Sequence, residues 1–188
     1  MASTTRIRSV SVKVKLEEHP DLSHLGEFKR QWEPGAIPSG LDRDYKQWFV
    51  PCNSGENARQ WYRKHGWPKH TAWLKGQQQE RGDLARAIGY GDQWYMVGIL
   101  AEAEVLVPHG PPGHSIIQTL RSGGLWGIET DSESSYFVEV AKEELAALVE
   151  VLNEMGFEGD AFEGFDLDEL AQDAGDKESV AQEVQGGG

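Results

Sequence analysis

The residues best equipped for chemistry lie between positions 59 and 86. Arg59, Arg63, Lys64, Lys69, Lys75, Arg81 and Arg86 stand there against only Glu80 and Asp83, with Trp61, Tyr62, Trp67 and Trp73 interleaved. Cations attract a phosphate backbone and aromatic planes stack on bases. Arg59, Trp61, Arg63, Lys64, Trp67 and Lys69 are therefore candidate nucleic-acid contacts. Two plainer readings compete. Tryptophans carry large apolar area and commonly fill a small core. A basic stretch can also dock the chain's own acidic residues.

Opposite charge collects in the second half. The chain has 188 residues and a formal net charge of −13. Residues 1–101 hold 15 Lys/Arg and 11 Asp/Glu, whereas residues 102–188 hold 3 and 20. Such a balance argues against a surface that grips nucleic acid or anionic lipid throughout. Glu129, Asp131, Glu133, Glu139, Glu143, Glu144, Glu150 and Glu154 form a second candidate binding surface. Carboxylates held along a rigid element can imitate phosphates and occupy a basic groove. The competing reading is a solvated helix face followed by a solubilising tail.

Other groups carry weaker signals. Asp42 and Arg43 form a dense charge cluster that could orient an anionic substrate, with Glu129 as a partner, or merely pin a loop. His19/His24, His65/His70 and His109/His114 are each five apart, whereas a helical metal pair wants four. Cys52 is the only cysteine, so no internal disulfide is expected, and no catalytic signature surrounds it. It reads as a buried or half-buried thiol. Ser122-Gly123-Gly124 lacks the context of a phosphate-binding loop and reads as a tight turn between strands. No metal or cofactor is expected and no catalytic residue is assigned; a non-enzymatic role is favoured, with a small enzyme of unknown reaction kept as an alternative.

These groups need elements to position them. Val10, Val12, Val14 and Leu16 alternate with Ser9, Ser11, Lys13 and Lys15, which predicts a half-buried strand over 6–16. Residues 17–58 show turn signals and read mostly as loop, tacked down by Trp32, Ile37, Trp48 and Phe49. A helix-like stretch over 59–90 is broken at Gly66-Trp67-Pro68, and Gly76 and Gly82 weaken its second part. Strands are predicted over 93–107, 114–121 and 125–129, joined as an antiparallel meander. Val138, Ala141, Leu145, Leu148, Leu152 and Met155 mark one face of a helix over 132–155, capped by Asp131 or Ser132 and ended by Gly156. The fold class is α+β: an antiparallel sheet of about four strands on one long amphipathic C-terminal helix, with an acidic tail. Val12, Val14, Val97, Ile99, Ile117, Trp126, Leu145, Leu148 and Leu152 are the expected core. Residues 1–156 read as one domain and 157–188 as a largely flexible tail. No apolar run approaches a signal peptide or a membrane span, so a cytoplasmic protein without membrane contact is expected.

Several segments carry a resemblance. Residues 21–28, Leu41-Asp42-Arg43, Trp94-Tyr95-Met96-Val97-Gly98-Ile99 and, most specifically, Gln118 through Ser132 with its Ser-Gly-Gly-Leu-Trp-Gly run resemble a family of small proteins of bacteriophages, plasmids and other mobile elements. That family has no established activity. The resemblance implies a setting and no reaction, and it makes 59–75 an insertion and the residues after Gly156 an extension. Three functions follow. One is an accessory protein of a mobile element that binds a host protein through its acidic surface, as a nucleic-acid mimic. The second is a nucleic-acid binder using 59–86. The third is a small enzyme around Asp42, Arg43 and Glu129.

Overall fold

A computed structural model describes residues 6–41, 46–52, 55–111, 113–157 and 159–176. Contacts divide them into two compact units, where the sequence suggests a single domain over 1–156. One unit holds the residues up to Glu18 and those from Tyr95 onward; the other holds His19–Trp94.

The first unit is α+β, with an antiparallel sheet. Its strands, numbered in chain order, are β1 (Arg6–Leu16), β5 (Met96–Pro108), β6 (Ser115–Arg121) and β7 (Leu125–Glu129); β2 to β4 belong to the second unit. β5 is the centre, because β1, β6 and β7 all pair with it antiparallel. Val97, Ile99, Ala101, Ala103 and Val105 alternate along β5 and have no exposure at all. Their face lies under the helix α3 (Ser134–Glu154), which buries Phe137, Val140, Ala141, Leu145, Leu148 and Leu152. Glu133 holds the N-cap position of α3 without a side-chain cap bond, instead of Asp131 or Ser132. A missing cap costs about 1 kcal/mol. Full burial of each large apolar side chain contributes ~1.5–3 kcal/mol, so packing decides that the helix forms.

The predicted meander is corrected. β6 and β7 do not pair with each other; they follow one another along the same edge of β5. Arg121 lies opposite Glu102 and Leu125 opposite Ile99, so three residues of the edge face two of β5. A second surplus residue falls between Leu125 and Ile128, which oppose Ile99 and Val97. Both irregularities contain a glycine with positive φ, Gly124 at 76° and Gly127 at 78°, a conformation that side chains resist. Ser122 holds the first break: its amide donates to the Ala101 carbonyl, and its hydroxyl accepts from the Ala101 amide at 2.9 Å.

Two expected core residues lie outside. Ile117 is 50% exposed and Trp126 46%. Ile117 sits on the open edge strand. Trp126 lies on the other face of the sheet, over Gly98: a Cβ on Gly98 would stand 2.3 Å from its ring. Met155, at the end of the α3 stripe, is also exposed.

Beyond α3 the chain continues folding. Gly156 has positive φ, its amide donates to Asn153 O, and the Phe157 amide reaches Leu152 O. This double bond pattern ends the helix and buries Phe157 beside it. A 3₁₀ turn (Gly159–Phe162) leads to α4 (Leu167–Ala174), whose Asp166 side chain caps the Glu169 amide. Ala171 and Ala174 enter the core cluster, and Phe162, Phe165, Leu167 and Leu170 pack against it. Lys142 binds Asp168 at 2.7 Å and holds that carboxyl below the usual aspartate range. Residues 177–188 of the expected tail lie outside the described residues.

Residues 17–58, read mostly as loop, also carry three short strands in the second unit. Strands β2 (Gly26–Lys29), β3 (Ile37–Pro38) and β4 (Trp48–Pro51) form a small sheet in the order β2-β4-β3. Phe49 is fully buried and meets Phe28 at 5.1 Å, whereas Trp32 is exposed. Two helices follow, α1 (Gly55–Lys64) and α2 (Lys69–Gly89).

The Gly98–Trp126 contact is testable. Gly98→Ala should destabilise the chain by ~1–3 kcal/mol in denaturant unfolding, the range for forcing volume into a packed site. In a Trp126→Ala background the same change should cost clearly less, because the two residues share the contact. Equal costs in both backgrounds would contradict it.

Candidate functional site

The basic-aromatic segment folds as a helical hairpin. α1 packs along α2, whose buried positions are small: Ala72, Gly76 and Gly89. Arg59 of α1 approaches Glu80 of α2 at 3.7 Å, and both side chains are largely covered. Arg59 is thus placed inside the hairpin and not at its tip.

The tip is made by Gly66-Trp67-Pro68. Gly66 has positive φ, its amide donates to Arg63 O, and the Trp67 amide donates to Tyr62 O. The Tyr62 and Trp67 rings meet edge to face at 5.6 Å, the apolar contact that accompanies this helix stop. Pro68 then stands at the N-cap of α2. The break read from the sequence is therefore a specific C-terminal motif that turns the chain into a second helix.

Three tryptophans around the tip face solvent: Trp61 is 55% exposed, Trp67 42% and Trp73 42%. The reading of these residues as core is corrected. Trp61 stacks on His65, with centroids 4.0 Å apart and planes 28° from parallel. His65 Nδ1 lies 2.8 Å from the Trp61 carbonyl, which fixes the pair. His70 lies nearly parallel to Trp73 at 6.4 Å. Arg63, Lys64 and Lys69 are exposed among them. Between Glu56 and Glu80 the sequence has five Lys/Arg and no Asp/Glu. Arg63 and Lys64 also complement the α1 dipole, a local role of about 0.3–1 kcal/mol that needs no ligand. That role does not account for three exposed indoles.

Of the acidic surface, Asp131, Glu133, Glu139, Glu143, Glu150 and Glu154 are exposed. Glu139, Glu143, Glu150 and Glu154 recur near helical period, so they share the solvent side of α3. Glu144 is corrected as a member of that surface: its carboxylate accepts the Gly124 amide at 2.9 Å and ties α3 to the first break in the edge. Glu129, at the end of β7, is half-buried. Asp42 and Arg43 lie outside the described residues.

Sequence reasoning missed a polar depression of about 410 Å³ on the sheet face that carries Trp126. Ser9, Ser11, Lys13, Glu102, Glu104, Thr119 and Arg121 line it. Register brings Ser9, Glu104 and Thr119 into one row and Ser11, Glu102 and Arg121 into the next. Its charges are mutually matched: Glu102 meets Arg121 at 2.7 Å and Lys15 at 3.2 Å, and Glu104 meets Arg8 at 3.3 Å. Such cross-strand pairs stabilise a sheet and occupy both carboxylates of the depression, while Lys13 also lines it. The alternation of Ser9, Ser11 and Lys13 was the available signal.

Cys52 is exposed, which corrects the buried reading. His109 and His114 flank the β5–β6 turn, where the His109 amide donates to His114 O. Among the described residues no three His, Cys, Asp or Glu side chains group as metal ligands, and no helix is long and apolar enough to cross a membrane. No family model, curated protein or solved structure matches the chain.

One titratable group in the hairpin is poorly satisfied. Asp83 of α2 has a buried Oδ2 with no hydrogen-bond partner, and burial pushes its carboxyl up, partly offset by His24. A folded-state value above the unfolded one means that ionised Asp83 opposes folding once pH exceeds the unfolded value. Asp83→Asn should therefore raise the melting temperature at pH 7. The gain should shrink as pH falls and vanish below about pH 3, where the acid is protonated in both states. Thermal unfolding across pH measures this.

Proposed function

We propose that the protein binds single-stranded nucleic acid through the tip of the α1–α2 hairpin. The observation that carries the reading is the exposure of Trp61, Trp67 and Trp73 among Arg63, Lys64 and Lys69. Exposed indole area is costly in water unless a partner covers it. Unpaired bases supply flat partners of matching size, and their phosphates supply the negative charge. A closed duplex hides its base faces, so stacking selects single strands. Lys64 and Arg63 bind phosphates, Trp67 and the Trp61–His65 pair stack, and Lys69 closes the far side.

A second reading rests on α3, where Glu139, Glu143, Glu150 and Glu154 share an exposed side. This stripe suits a basic host protein, in keeping with the mobile-element setting that the resemblance implies. Salt-sensitive capture of a basic protein, abolished by Glu139→Lys with Glu143→Lys, supports it.

Anisotropy of a labelled oligonucleotide of about 15 residues tests the first reading. Arg63→Ala with Lys64→Ala should weaken binding and flatten the slope of log K against log salt by roughly 0.7 for each phosphate that is no longer neutralised. Trp67→Ala should weaken binding by ~1–3 kcal/mol with the slope unchanged. No retention of any single strand at low salt removes the proposal.

A further inference from the structure

The sheet of the first unit treats its two edges differently. β1 carries Arg6, Arg8, Lys13 and Lys15, and α4 and the 3₁₀ turn lie against it. Charges and cover of this kind prevent pairing with another strand. β6 has neither. From Ser115 to Leu120 it has no charge and no proline, and six of its seven residues are exposed, Ile116 at 41% and Ile117 at 50% among them. It pairs with β5 on one side, and no described strand pairs with the other.

Alternation fixes which groups point to the open side. The His109 amide donates to His114 O, and the Ser122 amide donates to Ala101 O. These two bonds bracket the β5–β6 ladder at positions of equal register. Antiparallel ladders alternate, so Ile116, Gln118 and Leu120 bond inward to β5. Ser115, Ile117, Thr119 and Arg121 then direct their amides and carbonyls to the open edge.

We infer that β6 is a self-pairing edge, and that two copies of this chain join by antiparallel β6–β6 pairing about Gln118. In that register Ile117 of one copy opposes Thr119 of the other, and Ser115 opposes Arg121. Both of these pairings, each occurring twice about the centre, use outward groups on both strands, giving up to about eight backbone hydrogen bonds. Gln118 opposes Gln118 at the centre, and Ile116 faces Leu120. No like charges meet: Arg121 stands across from a serine, and its own guanidinium is already paired with Glu102. A register shifted by one residue would set outward groups against inward ones. The contact forms against the net charge of −13, so screening strengthens it.

Sedimentation velocity on the full chain tests this. The dimer fraction should rise with concentration and should hold or grow as salt goes from about 0.05 to 0.5 M. Thr119→Pro removes an outward amide that β5 does not use, so the chain keeps its circular dichroism while dimerisation weakens at least about tenfold. Ile117→Lys, at an exposed side chain, should do the same if the proline variant fails to fold. A monomer at every concentration up to about 1 mM overturns the proposal. So does a dimer that both variants leave intact, or one that salt dissociates.

Discussion

Complete burial of one face of β5 is the constraint on which the first unit depends. Five alternate residues from Val97 to Val105 have no contact with water. Such a strand requires a partner on each edge and a layer above it. β1 supplies one edge, β6 and β7 share the other, and α3 supplies the layer. Ala101 and Ala103 are small, so the helix can approach a strand whose ends carry larger valine and isoleucine side chains. Register then follows, because a slip of one residue would exchange this apolar row for Glu102 and Glu104.

Sharing an edge between two short strands creates the need for the glycines. The edge must bend twice while staying attached to β5, and Gly124 and Gly127 provide the left-handed conformations. Ser122, Glu144 and Glu17 then satisfy the amides and carbonyls that the breaks release; Glu17 accepts from Gly127 at 3.0 Å. The segments Met96–Ile99 and Ser122–Gly127, separate in sequence, are therefore one structural device with Trp126 laid over Gly98. The Ser122–Gly127 run thus has a structural role in its own backbone geometry.

Period and turn chemistry made much of this legible. β1, β5 and α3 follow from alternation and helical spacing, and both helix stops follow from glycine. What sequence could not separate was a turn from a break: Ser122-Gly123-Gly124 looks alike whether the chain reverses or bulges onward. Only pairing with β5 distinguishes them. The small sheet of the second unit was hidden because its strands have two to four residues, too short for a period. Exposure was the other gap. Trp67 and Phe157 occupy the same place in the same helix-ending motif, yet Phe157 is buried and Trp67 faces water. Local sequence sets the motif, and only the neighbouring elements decide what covers it.

That contrast gives the functional account its weight. The same motif can bury its aromatic residue, so exposure of Trp67 beside Trp61 and Trp73 is not imposed by the turn. The chain contains seven tryptophans, and their indole N–H resonances provide separate reporters. The most direct measurement is titration of the isotopically labelled chain with an unlabelled single strand at low salt. The account predicts that the Trp61, Trp67 and Trp73 indoles shift together while buried Trp94 and sheet-bound Trp126 stay in place. Shifts confined to Trp126, or none among the three hairpin indoles, would contradict it.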